Sequence, residues 1–341
     1  MLDAKPKPTR RTILQSTLGL TAVLAVPALL TRRALAKTPL TMQFDWKFNV
    51  QFAGCFMAKE AGLYDAAGLN VTFKEWTDGV NVIEDAATAP MTLACAEQNL
   101  IIAAQANGSP VKALATMFQA SPYGLMSTPD KPIMSLADLK GKSIGVHIDG
   151  LKVMDLVMGV NGIAKDDIKI TEIDYDKKFD RVVSGEFAAV QCYAVDEPVG
   201  IEALFKVKPV VMKLSDFGFN STAQTIVASE KTLAAEPDSV KAFLKATFEG
   251  WKMAFADIPA AATIVATKYA VPGSKYTDLA YQTGSLTLIK DYVELGVGAD
   301  GIGKIDLPAY TAAAELMLKY GIVAALPDMQ KSVAPEMFMA G

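Results

Sequence analysis

The stretch Phe44 to Val71, FDWKFNVQFAGCFMAKEAGLYDAAGLNV, carries a strand, a loop, a helix and the start of the next strand in one unit. A short apolar strand ends near Asp45-Trp46. Asn49 and Gln51 break it, and Phe52, Phe56, Ala58 and Leu63 resume at helical spacing. Gly62 and Gly68 punctuate the return to a strand at Asn70-Val71-Thr72-Phe73. The loop from Trp46 to Gly54 therefore lies at the carboxyl end of a strand in an open α/β sheet, where such sheets bind ligands.

Working outward, the same alternation continues to about Phe118, with apolar runs at Met91–Cys95 and Val111–Phe118 and helical stretches at Val80–Ala87 and Leu100–Asn107. Strands alternating with helices predict a mostly parallel sheet flanked by helices. Between Gln119 and Pro132 the rhythm breaks at Pro122, Gly124, Pro129 and Pro132, which reads as a crossing into a second lobe. That lobe repeats the alternation through Lys142–Val146, Leu151–Asn161, Ala188–Tyr193 and Val210–Leu214, and Gln224–Ala228 reads as the return. The expected division is lobe I at residues 37–122 and 226–341, and lobe II at residues 123–225. Beyond Ser229 the pattern is helical: Pro237 marks a helix start, and Val240, Phe243, Leu244, Phe248, Trp251 and Phe255 follow at spacings of three and four.

Residues 1–36 are set apart as an export signal. Lys5, Lys7, Arg10 and Arg11 form a basic start, Thr12 to Leu30 an apolar stretch, and Ala34-Leu35-Ala36 a small-residue cleavage site. The pair Arg10-Arg11 resembles the twin-arginine motif, which predicts use of the twin-arginine export machinery, cleavage after Ala36 and a periplasmic location. An uncleaved anchor is the alternative that the apolar length permits. Cleavage predicts a mature chain with no membrane span. Losing six basic residues and one acidic residue from totals of 33 and 37 leaves a net charge of −9, which argues against nucleic acid and anionic membrane as partners. The three cysteines, Cys55, Cys95 and Cys192, form no close pair and read as buried free thiols rather than a metal or redox site. A monomer is expected.

Catalytic patterns are scarce. The single histidine, His147, rules out a histidine pair for zinc, and neither a phosphate-binding loop nor a dinucleotide fingerprint occurs. His147 closes an apolar strand just before a helix start, which suits an edge-of-cleft or structural role. Trp46 and Tyr193 fall at strand ends outside periodic runs and are candidates for a ligand wall, with a core role as the alternative because aromatic rings fill cores as well as pockets. Glu97-Gln98 opens a helix after a strand, so the pair either points into a cleft or serves the helix dipole.

Taken in order, Asp45-Trp46, Asn49, Ala53-Gly54, Gly62-Leu63-Tyr64, Lys140-Gly141-Lys142-Ser143-Ile144-Gly145-Val146, Gln191, Tyr193 and Asp196-Glu197-Pro198 resemble the periplasmic solute-binding proteins of ABC importers. Within them the likeness is to the thiamine-pyrimidine-precursor binders, relatives of the nitrate, sulfonate and taurine binders. It runs from about Leu40 to Phe338. It implies the type II periplasmic-binding-protein fold, two α/β lobes closing on a small ligand, and an inner-membrane ABC permease as partner. By the same resemblance Trp46 offers a stacking face, Asn49, Glu97 and Gln98 contact the ligand from lobe I, and Gly150, Lys152, Tyr193 and Glu197 line lobe II. Phe52 stands where the pyrimidine binders carry a histidine, which turns a hydrogen-bonding position into an apolar wall.

The resemblance also reaches an enzyme that makes the thiamine pyrimidine from pyridoxal phosphate and consumes its own histidine. Phe52 and the export signal both argue against that activity here. The expected function is capture of a small planar N-heteroaromatic, pyrimidine-like compound without catalysis, cofactor or metal, and a sensor that binds without transporting is the remaining alternative.

Overall fold

The computed structural model describes residues 36–175 and 178–339. The leader with Arg10-Arg11 lies outside the described residues. β1 (Thr38–Gln43) runs parallel to both β2 (Leu69–Lys74) and β3 (Thr92–Ala96), with Leu40 opposite Val71 and Met42 opposite Leu93. Every side chain of β3 is buried, as befits a strand covered on both faces. β10 (Ala223–Ser229) lies next, antiparallel to β3 and to β4 (Val111–Phe118), giving the order β2-β1-β3-β10-β4.

The second sheet has the order β7-β6-β8-β5-β9, built from β5 (Tyr123–Ser127), β6 (Ser143–Val146), β7 (Lys169–Glu172), β8 (Ala189–Tyr193) and β9 (Val210–Lys213). Here β5 is the strand that opposes its neighbours. In each sheet the reversed strand is the one that has just crossed from the other. The chain leaves a sheet at the cleft end of a strand and enters the next sheet at its cleft end, so the entering strand must run away from the cleft. The crossings lie side by side, and the Ser121 amide donates to the Ser221 carbonyl at 2.6 Å.

Helices cover both faces of the first sheet. On one, Phe44, Phe52 and Phe56 meet Phe243, Phe248 and Trp251 from the helix Pro237–Ala256. On the other, Ile101 and Ile102 meet Tyr310 and Met317 from the helix Leu307–Lys319. Helix Ala53–Glu60 crosses Pro237–Ala256 at Gly54 and Gly250, where a Cβ on Gly250 would stand 2.0 Å from the Gly54 carbonyl oxygen. The second sheet encloses its own core of Leu125, Ile144, Val153 and Val157. The run Leu136–Leu139 is a 3-10 turn. Cys55, Cys95 and Cys192 are free and buried. Among the described residues no helix is long and apolar enough to cross a membrane.

Candidate functional site

Residues at or just past the carboxyl ends of β1, β2, β3, β6, β7 and β8 converge on one cavity of about 420 Å³. Trp46 follows β1 and Trp76 follows β2; their rings stack at 5.4 Å and 18°. Tyr175, past the end of β7, reaches across from the second sheet to 5.2 Å from Trp46 and 5.6 Å from Trp76. The His147 ring stands 4.3 Å from Tyr175. All three large rings are half-buried, which leaves aromatic surface available to a ligand.

Carboxyl groups supply most of the polar lining. On the first sheet's side Glu97 is buried and Asp45 half-buried, and loss of water around them pushes Asp45 up to about 7 and Glu97 up to about 8. Glu97 Oε1 accepts from the Tyr193 hydroxyl at 2.9 Å, a bond that spans the two sheets. On the second side Asp149 accepts from the hydroxyls of Tyr123 and Tyr175. Glu197 receives Lys178 and, at 2.7 Å, the Tyr193 amide. Burial alone would raise Glu197; the charges of Lys178 and Lys275, together with the hydrogen bonds from Lys178 and the Tyr193 amide, outweigh it and hold the group low. His147 is driven down to about 3, first by burial and then by the nearby Lys178 charge, so its ring is neutral. Three atoms on lining residues, Glu97 Oε2, Gln224 Oε1 and His147 Nε2, have no partner among the described residues. The described residues contain no group of three or more His, Cys, Asp or Glu that could hold a metal ion.

Of the residues singled out in the sequence, Trp46, Glu97, Tyr193 and Glu197 meet at this cavity. His147, read as an edge-of-cleft or structural residue, lines it as well; Asn49, Phe52, Gln98, Gly150 and Lys152 are placed elsewhere. Asn49 braces its own loop, accepting from the Gln51 amide at 2.7 Å and donating to the Lys47 carbonyl at 2.9 Å. Phe52 has no exposure and stacks on Phe44 at 4.1 Å, so it is core rather than cavity wall. Its neighbour Gln51 is the residue that turns to the cavity. Gln98 holds the return crossing, accepting from the Thr222 amide at 2.8 Å and donating to the Tyr310 carbonyl at 3.1 Å. Gly150 makes room: a Cβ there would lie 2.0 Å from Gln191 Oε1, which takes the His147 amide at 2.9 Å. Lys152 is exposed on the outer helix face beside Asp155.

Trp76 and Tyr175 were not singled out in the sequence. Each follows a parallel strand by two or three residues, the position that marked Trp46, so the strand-end rule applied to β2 and β7 finds both.

Two α/β sheets joined by paired crossings around one cavity define the periplasmic-binding-protein fold. The chain belongs to the NMT1/THI5-like family, whose model matches residues 49–262. It is 26% identical to the riboflavin-binding protein RibY of Chloroflexus aurantiacus over 89% of this chain and 86% of that one. It is 25% identical to the 4-amino-5-hydroxymethyl-2-methylpyrimidine phosphate synthase of Legionella pneumophila over 63% of this chain and 68% of the synthase. Among solved structures, the periplasmic aliphatic sulphonate binding protein SsuA of Escherichia coli superposes with a TM-score of 0.67 at 15% identity, covering 88% of this chain and 98% of that one.

Proposed function

We propose that this chain is an exported, monomeric solute-binding protein that captures a small planar N-heteroaromatic compound between its lobes and delivers it to an inner-membrane ABC permease. The observation that carries the reading is the cavity wall: Trp46, Trp76 and Tyr175 from both sheets, with carboxyl groups outnumbering the one lysine, which Glu197 already engages. An anion would meet no free guanidinium or ammonium group among the described lining residues, so the site favours a neutral or donor-bearing ring over a sulfonate. The volume sits toward the small end of ligand pockets, which run about 300–1,000 Å³. The extended likeness to a riboflavin-binding protein supports a fused heteroaromatic ring as one member of the class.

Stacking alone does not suffice. A micromolar Kd corresponds to about −8.2 kcal/mol, and an aromatic pair supplies roughly 0.5–1.5 kcal/mol beyond area burial. The remainder comes from burying the ring between the lobes and from polar contacts on both sides, as in hinge closure around a ligand. A thermal-shift panel of pyrimidines, riboflavin, aromatic acids and alkanesulfonates tests the reading. Heteroaromatic compounds should raise the melting temperature; a rise with an alkanesulfonate and with no heteroaromatic compound overturns it.

The likeness to the Legionella synthase favours a second reading, catalysis on pyridoxal phosphate. Against it, the position that the resemblance aligns with the consumed histidine is Phe52, a core residue. Incubation with pyridoxal phosphate and iron should release no pyrimidine.

A further inference from the structure

Asp196 stands at the start of the helix Glu197–Phe205, on the second sheet's side, yet its carboxylate is surrounded by residues packed on the first. Oδ2 accepts from Gln51 Nε2 at 3.3 Å and from the Tyr276 hydroxyl at 3.0 Å. Oδ1 accepts from the Tyr281 hydroxyl, and Lys275 Nζ lies 3.9 Å away. Tyr281 begins the helix Leu279–Glu294, which joins the first core through Leu286, Ile289 and Val293. The Tyr276 hydroxyl also receives the Trp46 indole N–H at 2.6 Å. An indole nitrogen only donates and a phenol has one hydrogen, so the direction is fixed: Trp46 donates to Tyr276, and Tyr276 donates to Asp196.

We propose that Asp196 and Tyr276 are positioning residues for the ligand wall, a relay through which contact between the lobes fixes the edge of Trp46 and so orients its stacking face. The proposal rests on the ligand reading above and extends it. When the lobes part, Asp196 leaves Tyr276, the phenol hydroxyl loses the acceptor that fixes it, and the acceptor of the indole N–H is no longer held in place, so the edge of Trp46 loses its anchor. Trp46 is then set for a ring only in the closed arrangement. Bonds in such a chain polarise one another in a low-dielectric setting, and a charged acceptor strengthens the last of them.

Two variants test it: Tyr276→Phe removes the relay hydroxyl and keeps the ring, and Asp196→Asn keeps the shape and removes the charge. The first readout needs no ligand. Read in a Trp76→Phe background, acrylamide quenching of tryptophan fluorescence should rise in both variants relative to that background alone, because Trp251 is fully buried and Trp46 is then the accessible indole. The second readout is riboflavin binding followed by flavin fluorescence, which should weaken about tenfold in Tyr276→Phe, the loss of roughly one hydrogen bond in a charge-assisted chain. Unchanged quenching in a folded Tyr276→Phe protein overturns the relay, whatever Asp196→Asn does. If the parent protein fails to bind riboflavin while quenching still rises, the relay stands and that ligand is struck from the proposed class.

Discussion

Glu97 lies on a buried surface with one oxygen bonded to Tyr193 and the other without a partner, and burial lifts it from its usual 4.5 to about 8. The folded chain therefore keeps this proton over a range in which the unfolded chain has lost it. Folded-state pKa above the unfolded value in a carboxylic acid means that stability falls as pH rises from 4.5 towards 8. Asp45 acts in the same direction, from 3.8 to about 7. His147 works on the acid side: lowered from 6.5 to about 3, it stays neutral in the fold while the unfolded chain takes up a proton, so stability falls as pH drops through that interval. Glu97→Gln should flatten the alkaline side, its melting temperature declining less than the parent's between about pH 5 and pH 8. Parallel melting curves for the two proteins would show that Glu97 is ionised. Trp46→Ala acts on the ligand instead. The ring is half-buried at the cavity, so affinity for a stabilising compound should fall at least about tenfold, the scale of a well-stacked ring with its buried area, while the melting temperature in the absence of ligand changes little. At this scale the sequence marks Trp46 through its strand-end position. It does not separate Phe52 from the wall, because a phenylalanine beside a ligand loop and one stacked on Phe44 have the same local neighbours in the chain.

Strands were legible because buried runs are mostly apolar; Val111–Phe118, interrupted only by Lys112 and Thr116, is observed with the limits its composition predicts. The way helices meet is less legible. A glycine inside a helix is costly on propensity alone, yet in the fold Gly54 and Gly250 are the place where two helices touch backbone to backbone. A Cβ on Gly54 would fall 2.3 Å from Trp251 Cδ1, and one on Gly250 would come within 2.7 Å of the Ala58 amide nitrogen. Neither neighbour is the free end of a flexible chain, since Trp251 has no exposure and the other contact is backbone. Gly250→Ala should therefore destabilise the protein by about 1–3 kcal/mol or more despite the better helix propensity of alanine. Chemical denaturation checks this through a lower midpoint at unchanged slope. A variant as stable as the parent would mean that the two helices separate at little cost. Gly150 has a different task, giving the cavity residue Gln191 the space to hold the His147 amide.

For the whole molecule, the break in rhythm from Gln119 to Pro132 announces a crossing, but strand direction is not written in any one segment. β5 and β10 run against their sheets because each enters at the cleft, a property of the path and not of local composition. The same path ties the two sheets together around the cavity. Glu97 to Tyr193 and Gln51 to Asp196 bond across the cavity, and the paired crossings at Ser121 and Ser221 join the sheets behind it. A ligand held between the sheets gains contacts from both only when they are together, so it shifts the population towards the closed arrangement by its difference in affinity for the two. Two results should coincide on adding a stabilising compound. At 100 times its Kd the stability should rise by about 2.7 kcal/mol in a single melting transition, and small-angle scattering should give a radius of gyration no larger than that of the free protein. Two separate transitions, with the ligand moving only one, would place the compound on one sheet and outside the shared cavity. Thermal stabilisation with an increased radius of gyration would mean that the compound prefers an open arrangement, since a ligand shifts the population towards whichever form it binds more tightly.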